Sequence, residues 1–326
     1  MIGKTKKVFS KEFYRVPRER IELSRYCYHG ILSPACLPIP PPGRFYTIDE
    51  DEYIHNSPLC QRCGILMTDQ EAMAKVISVV NQKGGVGKTT TTVNVAAFLA
   101  ELGKMVLIID MDPQGNASSG LGVNRSMVEH GIYEALAKQK HISDTILDTG
   151  HVGLRIAPAT QNLAGASVEL VSVENREFQL RELLSEIRHG YDYILIDCPP
   201  SLGLLTVNSL VAADQLLIPV QAEYYALEGL GQLLETVKLV QTHIHPDLEV
   251  LGAVLTMFDK RTKLSTEVMN ELYKYFPNNI FRSVIPRTIR LAEAPSFGQS
   301  ILQYEPSGKG AKAYEKLARE IIERHQ

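Results

Sequence analysis

Short apolar runs alternate with longer amphipathic segments along the chain from Met73 onward. Several runs are apolar at nearly every position, which is typical of parallel strands that are covered on both faces. Segments 177–190, 227–243 and 310–326 have the periodicity of amphipathic helices. The pattern predicts an α/β fold with a doubly wound, mostly parallel sheet and helices on both faces. The predicted strands cover residues 76–80, 106–110, 154–158, 193–197, 216–220, 251–257 and 283–286.

The loop after the first predicted strand is rich in glycine and leads into a helix that we expect to end near Gly103. This order is that of a P-loop, in which backbone N–H groups and a helix N-terminus face phosphate. The pattern G-x-x-x-x-G-K-[ST] is matched at its end but has Gln82 at its first glycine position. The alternative is a glycine-rich turn with incidental lysines, and the flanking strand and helix argue against it. The residues predicted to bind nucleotide are Lys83, Gly84, Gly85, Val86, Gly87, Lys88, Thr89 and Thr90.

Two lysines of this loop have different predicted roles. Lys88 would reach the terminal phosphates, and the neighbouring Thr89 would offer its hydroxyl to Mg²⁺. Lys83 is not required by the common pattern. The string KGGVGKTT resembles the deviant Walker A motif of the ParA and MinD class of ATPases. The resemblance implies that the chain hydrolyses ATP as a homodimer, in which Lys83 crosses the interface to the partner's nucleotide. Lys83 and Lys88 are therefore both predicted to be catalytic.

Two aspartate segments follow predicted strands, at the sheet edge where ligands of such folds bind. The segment DMDPQGN resembles the family's switch I, which implies that Asp112 positions the attacking water and Asp110 supports the site. The segment DCPPS resembles switch II, where Asp197 can hold Mg²⁺ through its water shell. If the segment DMDPQGN is considered alone, the alternative is that its Asp, Pro and Gly residues only form a turn after the strand. The neighbouring Cys198 is predicted to be a small buried residue.

A third segment, IPRTIR, follows the last predicted strand. In the family that it resembles, the proline lies near adenine and the following basic residues face DNA. We therefore assign Pro286 and Thr288 to the nucleotide site, although Thr288 stands where the family is expected to have asparagine. A solvated charged loop is the alternative for the basic positions. The residues assigned to DNA are Lys260, Arg261, Lys263, Arg287 and Arg290.

The composition of the 326 residues is that of a globular protein, with 44% hydrophobic residues and a net charge of -3. This charge does not by itself indicate a nucleic-acid-binding protein. No apolar run approaches the ~20 residues that span a bilayer, and the C-terminal helix lacks the apolar and basic face of a membrane-targeting tail. We expect a cytoplasmic, nucleoid-associated protein without membrane attachment.

Residues 1–72 contain four of the five cysteines, a proline-rich stretch and no sustained periodicity. We predict an irregular N-terminal extension that is dispensable for an ATPase domain at residues 73–326. A folded accessory module is the alternative. A zinc site at Cys27, Cys36, Cys60 and Cys63 is a further alternative, although eight residues separate the first two cysteines and a zinc knuckle usually has two to four.

The string NQKGG indicates a branch of the family, because the Soj and ParA partition proteins typically carry it. The MinD and nitrogenase iron protein branches usually have glycine before the early lysine. The resemblance implies a partition ATPase that binds Mg·ATP, forms a sandwich dimer, binds DNA nonspecifically and is released by hydrolysis. It also implies a ParB-type centromere-binding partner. The alternatives are a MinD-like ATPase that acts on a membrane or another cargo, and a metabolic P-loop enzyme that phosphorylates or amidates a small molecule.

Overall fold

The structure is a computed structural model that describes residues 73–223, 228–277 and 279–326. These residues belong to one compact unit, Thr68–Gln326. The predicted N-terminal extension lies outside the described residues, as does the alternative zinc site at Cys27, Cys36, Cys60 and Cys63. Both stay predictions.

The strands in the described residues form a single sheet. They are β1 (Lys75–Val79), β2 (Val106–Asp110), β3 (Leu147–Asp148), β4 (Leu154–Ala157), β5 (Tyr193–Asp197), β6 (Gln215–Gln221), β7 (Glu249–Phe258) and β8 (Ile280–Pro286). Their order is β3-β4-β2-β5-β1-β6-β7-β8. Neighbouring strands run parallel, except that β3 pairs antiparallel with β4. The mostly parallel sheet is confirmed, and the two-residue β3 is an addition to it.

Helices cover both faces of this sheet. They are α1 (Lys88–Glu101), α2 (Asn116–Gly120), α3 (Ile132–Leu136), α4 (Leu163–Glu169), α5 (Gln179–Ile187), α6 (Leu204–Ala212), α7 (Glu228–His243), α8 (Lys263–Tyr275), α9 (Ile289–Glu293), α10 (Ile301–Tyr304) and α11 (Lys309–Arg324). None of the helices in the described part of the chain has the length and apolar character that crossing a membrane requires.

The buried apolar side chains form two clusters, because neighbouring residues of a strand point to opposite faces. Along β1, Val76 belongs to one cluster and Ile77 to the other. The cluster with Ile77 includes residues of α1 and α11, and the cluster with Val76 includes residues of α5, α6, α7 and α8. The P-loop helix α1 is therefore packed on one face of the sheet next to the C-terminal helix.

The last strand of the sheet order, β8, carries an irregularity next to α11. The register between β7 and β8 shifts between Ala253 and Leu255. The extra residues lie in β8, so some of its backbone groups are left without partners in β7. The side chain of Glu320 on α11 accepts hydrogen bonds from the backbone N–H groups of Arg282 (2.8 Å) and Ser283 (3.1 Å). Helix α11 thus supplies acceptors for two backbone N–H groups of β8.

Candidate nucleotide site and basic surface

The P-loop joins β1 to α1 and needs glycine at two positions. Gly85 and Gly87 have φ values of 74° and 91°, in the left-handed region that favours glycine. The carbonyl of Val86, between them, accepts a hydrogen bond from the Thr256 hydroxyl on β7 (2.8 Å). Gly87 precedes the first residue of α1. The loop is therefore held between β1 and β7, with its C-terminal end at a helix N-terminus.

The structure explains why Gln82 can stand at the first glycine position of the motif. Gln82 does not adopt a positive φ, so its backbone needs no glycine. Its side-chain Nε2 donates to Oε1 of Gln232 on α7 (2.8 Å). The preceding Asn81 is buried, donates to the Pro219 carbonyl (2.8 Å) and accepts from the N–H of Lys83 (3.0 Å). The front of the loop is thus fixed by side chains.

The two loop lysines have different surroundings. Lys88 is buried, and its Nζ lies 3.2 Å from the Lys83 carbonyl. Burial lowers the pKa of Lys88, against the opposing effects of Asp197, Cys198 and Asp112. Lys83 is only half-buried, and its ammonium group forms no ion pair or hydrogen bond with the part of the chain that the structure describes. Lys88 therefore faces the interior of the site, while the ammonium group of Lys83 has no partner among the described residues.

Asp197 ends β5 and is fully buried. Its two carboxylate oxygens accept from the hydroxyls of Thr89 (2.7 Å) and Thr92 (3.0 Å), which lie one turn apart on α1. Burial raises the pKa of Asp197, and the nearby Asp110 raises it further. Thr92 was not predicted as a site residue. Its spacing of one turn from Thr89 in the string KTTTT indicates that both side chains lie on the same face of the helix.

Asp110 and Asp112 lie beside this carboxylate, as their positions after a neighbouring parallel strand predict. Both are buried, and burial raises the pKa of Asp110. Ser118 on α2 donates to the Asp110 carboxylate through its backbone N–H (2.9 Å) and its hydroxyl (2.6 Å). Asp112 Oδ1 accepts from the N–H of Gln114 (3.0 Å). The contact of Ser118 was not predicted, because no local pattern links residues eight positions apart across a loop.

The donor set of this site suits Mg²⁺. The Thr89 hydroxyl and the Asp197 carboxylate are hard oxygen ligands, and the buried carboxylates around them favour a cation. Among the described residues, no group of three or more His, Cys, Asp or Glu side chains could hold a metal ion by itself. Mg²⁺ usually takes one or two protein ligands together with phosphates and waters, so the residues present fit a Mg·nucleotide complex.

The basic residues that we assigned to DNA are all exposed, at the carboxyl ends of two adjacent strands. Phe258 at the end of β7 pairs with Pro286 at the end of β8, and its carbonyl accepts from the N–H of Arg287 (3.1 Å). Lys263 is the first residue of α8. Each arginine is paired with acidic residues: Arg261 with Asp259 (2.7 Å), Arg287 with Glu223 (3.3 Å), and Arg290 with Glu293 (2.9 Å) and Glu305 (3.6 Å).

Thr288 has a structural role that accounts for its residue type. It precedes α9, and its hydroxyl accepts from the N–H of Leu291 (3.3 Å), as an N-cap residue does. Pro286 is half-buried at the end of β8. Cys198 is fully buried, as predicted, and its Sγ lies 3.0 Å from the Ser78 hydroxyl. Burial raises the pKa of this thiol to about 11.

Comparisons with known proteins identify the family. A family model described as an AAA domain matches residues 74–250. The chain is 53% identical to the sporulation initiation inhibitor protein Soj of Bacillus subtilis, over 76% of this chain and 98% of the relative. It is 50% identical to the chromosome partitioning protein ParA of Myxococcus xanthus, over 77% of this chain and 89% of the relative. This chain belongs to the ParA/Soj family of ATPases.

A solved structure has the same fold as this ParA/Soj family member. Cobyrinic acid a,c-diamide synthase from Mycobacterium smegmatis, with bound ADP and magnesium, has a TM-score of 0.70 and is 36% identical. The match covers 78% of this chain and 96% of the synthase. The prediction of a P-loop ATPase of this family is confirmed.

Proposed function

We propose that this ParA/Soj-family ATPase is a DNA-partition protein that binds Mg·ATP, dimerises, binds DNA without sequence specificity and is released by hydrolysis. The observation that carries this proposal is the position of two features on one sheet. The P-loop follows β1, and the exposed basic residues follow β7 and β8, so both lie at the carboxyl edge. The names of the relatives Soj and ParA support the same function.

In this proposal the P-loop holds the nucleotide. The backbone of residues 83–90 surrounds the phosphates, and Lys88 binds the terminal ones. Thr89 and Asp197 would hold Mg²⁺, Asp197 through a water molecule. When bound, Mg²⁺ would supply charge that stabilises the phosphate oxygens during transfer. Pro286 and Thr288 approach the adenine. The pairing of Pro286 with the end of β7, whose Thr256 contacts the P-loop, supports this assignment.

The hydrolytic step depends on two further residues. Asp112 positions the attacking water, and its burial among the switch I hydrogen bonds supports a fixed orientation. Asp110 supports the site through Ser118. Lys83 acts in trans on the nucleotide of the second copy, like an arginine finger. The ammonium group of Lys83 is half-buried and has no partner among the described residues, which supports a role outside its own chain.

DNA binding is assigned to Lys260, Arg261, Lys263, Arg287 and Arg290. A DNA phosphate has to compete with the carboxylates that pair with the three arginines. Each single contact is therefore weak, and the DNA affinity depends strongly on the number of contacts. A homodimer presents each residue twice, so dimerisation raises DNA affinity without any new contact. A ParB-type partner and a cytoplasmic, nucleoid-associated location belong to the same proposal.

One experiment separates this function from its alternatives. Binding of the full chain to random-sequence DNA and to anionic vesicles is measured with ATP and with ADP. A partition ATPase binds DNA with ATP only and does not bind vesicles. ATP-dependent vesicle binding without DNA binding would instead support a MinD-like function. Failure to bind either surface, with intact ATP hydrolysis, would support a metabolic enzyme.

A further inference from the structure

We propose that Arg125 is a positioning residue for ATP hydrolysis, because it holds the switch I loop in the conformation that orients Asp112. Arg125 begins the short 3₁₀ helix Arg125–Met127, which follows α2 in the chain. It belongs to none of the motifs that predicted the site. The inference rests on the proposed role of Asp112, and the experiment below separates failure of one from failure of the other.

The contacts of Arg125 are with three backbone carbonyls. Its guanidinium donates to Pro113 (2.8 Å) and to Gln114 in the switch I loop, and to Ala159 (3.0 Å) beyond the end of β4. Within the described residues Arg125 forms no ion pair, so its hydrogen bonds go to backbone rather than to a carboxylate. A planar guanidinium with five donors can bridge several fixed acceptors in this way, whereas an ammonium group cannot match the same fork.

The guanidinium also lies directly against the backbone of the loop. A Cβ atom added to Gly115 would come within 2.2 Å of Arg125 Nε. Gly115 has a φ of 62°, so its residue type is required by its conformation as well. Arg125 therefore occupies the space that any side chain at position 115 would take. The contact of Arg125 with the loop backbone therefore depends on glycine at position 115.

Two short paths connect Arg125 to the aspartates. Arg125 binds the carbonyl of Gln114, and the N–H of Gln114 donates to Asp112 Oδ1 (3.0 Å). Displacement of Gln114 would therefore disturb this hydrogen bond to the Asp112 carboxylate. Ala159, the third contact, donates its N–H to the Ser118 hydroxyl (3.2 Å), and Ser118 in turn donates to Asp110. Arg125 thus ties the Asp112 loop to the residues that hold Asp110.

The test compares Arg125→Ala with Arg324→Ala in the full chain. Arg324 also donates to two carbonyls, those of Leu251 and Ile280, but it lies on α11 and outside the site. For Arg125→Ala, we expect kcat for Mg·ATP hydrolysis to fall by about tenfold to a hundredfold, because a small displacement of a group that orients the reactants lowers the rate by such factors. KM and the equilibrium affinity for nucleotide should stay near the parent values. Arg324→Ala should lower Tm and leave kcat unchanged.

Added guanidinium chloride, well below denaturing concentrations, should restore part of the kcat of Arg125→Ala and have no such effect on Arg324→Ala. An unchanged kcat in Arg125→Ala would overturn the inference, as would an equal loss of kcat in Arg324→Ala. If Arg125→Ala does not fold, Arg125→Lys takes its place, and full activity of that variant would overturn the bridging role.

Asp112→Ala is measured in parallel. Full hydrolysis by Asp112→Ala would refute the assignment of Asp112 in the proposed function. Loss of hydrolysis in Asp112→Ala together with a normal kcat in Arg125→Ala would refute only the role of Arg125.

Discussion

The Thr89 hydroxyl donates to the Asp197 carboxylate across 2.7 Å and so joins the first turn of α1 to the end of β5. Both groups are proposed to hold Mg²⁺, and the hydrogen bond places them next to each other. A cation that binds here therefore meets ligands that are already adjacent. This arrangement reduces the side-chain ordering that nucleotide binding requires.

The two loop lysines should differ when each is replaced by alanine. Lys88→Ala should abolish nucleotide binding, because Lys88 is buried in the phosphate loop of its own chain. Lys83→Ala should keep much of the binding but lose ATP-dependent dimerisation and turnover, because Lys83 is proposed to act in the partner's site. Equilibrium nucleotide binding and light scattering with ATP check both outcomes. Normal dimerisation and hydrolysis by Lys83→Ala would contradict the sandwich dimer.

Asp112→Ala should trap the ATP-bound dimer. The loop that holds the phosphates does not include Asp112, so ATP affinity should be retained while the attacking water loses its support. Hydrolysis should fall by about 10²-fold or more, and the residence time on DNA should lengthen. Both are measured with radiolabelled ATP and surface-bound DNA. A loss of ATP affinity instead would place Asp112 in nucleotide binding.

Arg290→Glu, and to a smaller extent Arg261→Glu, should strongly weaken DNA binding and leave ATP-driven dimerisation intact. Binding through phosphate contacts releases counterions, so loss of one arginine from a symmetric dimer should flatten the slope of log K against log[salt] by roughly two units. Arg319→Glu is the matched control, because Arg319 is equally exposed and paired, but on α11. An unchanged slope in Arg290→Glu, measured with a non-hydrolysable ATP analogue, would remove Arg290 from the interface.

The stability of the chain should depend on the ionisation of Glu320. Burial acts to raise the pKa of this carboxyl, but the N–H groups of Arg282 and Ser283, the Ser283 hydroxyl and Arg324 together lower it below its usual value. A lowered folded-state pKa gives stability that is present above the unfolded pKa and is lost as pH falls through the folded pKa.

Glu320→Gln should therefore lower the free energy of unfolding by about 1–3 kcal/mol at neutral pH. The difference from the parent should shrink as pH falls below about 4, the range in which glutamate titrates. Urea unfolding over this pH range checks the prediction, with Glu315→Gln as control, because Glu315 is a half-exposed residue of α11 whose carboxylate pairs with Arg319. A difference that is independent of pH would contradict it.

Deletion of residues 1–72 should preserve folding, ATP hydrolysis and dimerisation, since β1 begins only at Lys75. Circular dichroism, hydrolysis and light scattering of the truncated chain check this. Zinc analysis of the full chain is the companion measurement. Stoichiometric zinc together with collapse of the truncated chain would instead support the four-cysteine site.

The sheet could be predicted because its strands are short apolar runs that end in polar residues. Asp110 and Asp197 mark such ends, and both lie in the site. The same reasoning missed α6, which is apolar at most positions and has no clear helical period. It also missed α8, whose apolar stripe is narrow. The contacts of Ser118 and Arg125 could not be predicted, because they join residues through the fold and not through sequence spacing.

The carboxylate of Glu320 also affects how two copies of the chain can meet. An edge strand with free backbone groups pairs readily with a strand of another molecule, and the two sheets then become continuous. At β8, Glu320 occupies the N–H groups of Arg282 and Ser283 and adds a negative charge beside them. An incoming strand would have to displace this buried carboxylate. Edge-to-edge pairing of copies through β8 is therefore disfavoured.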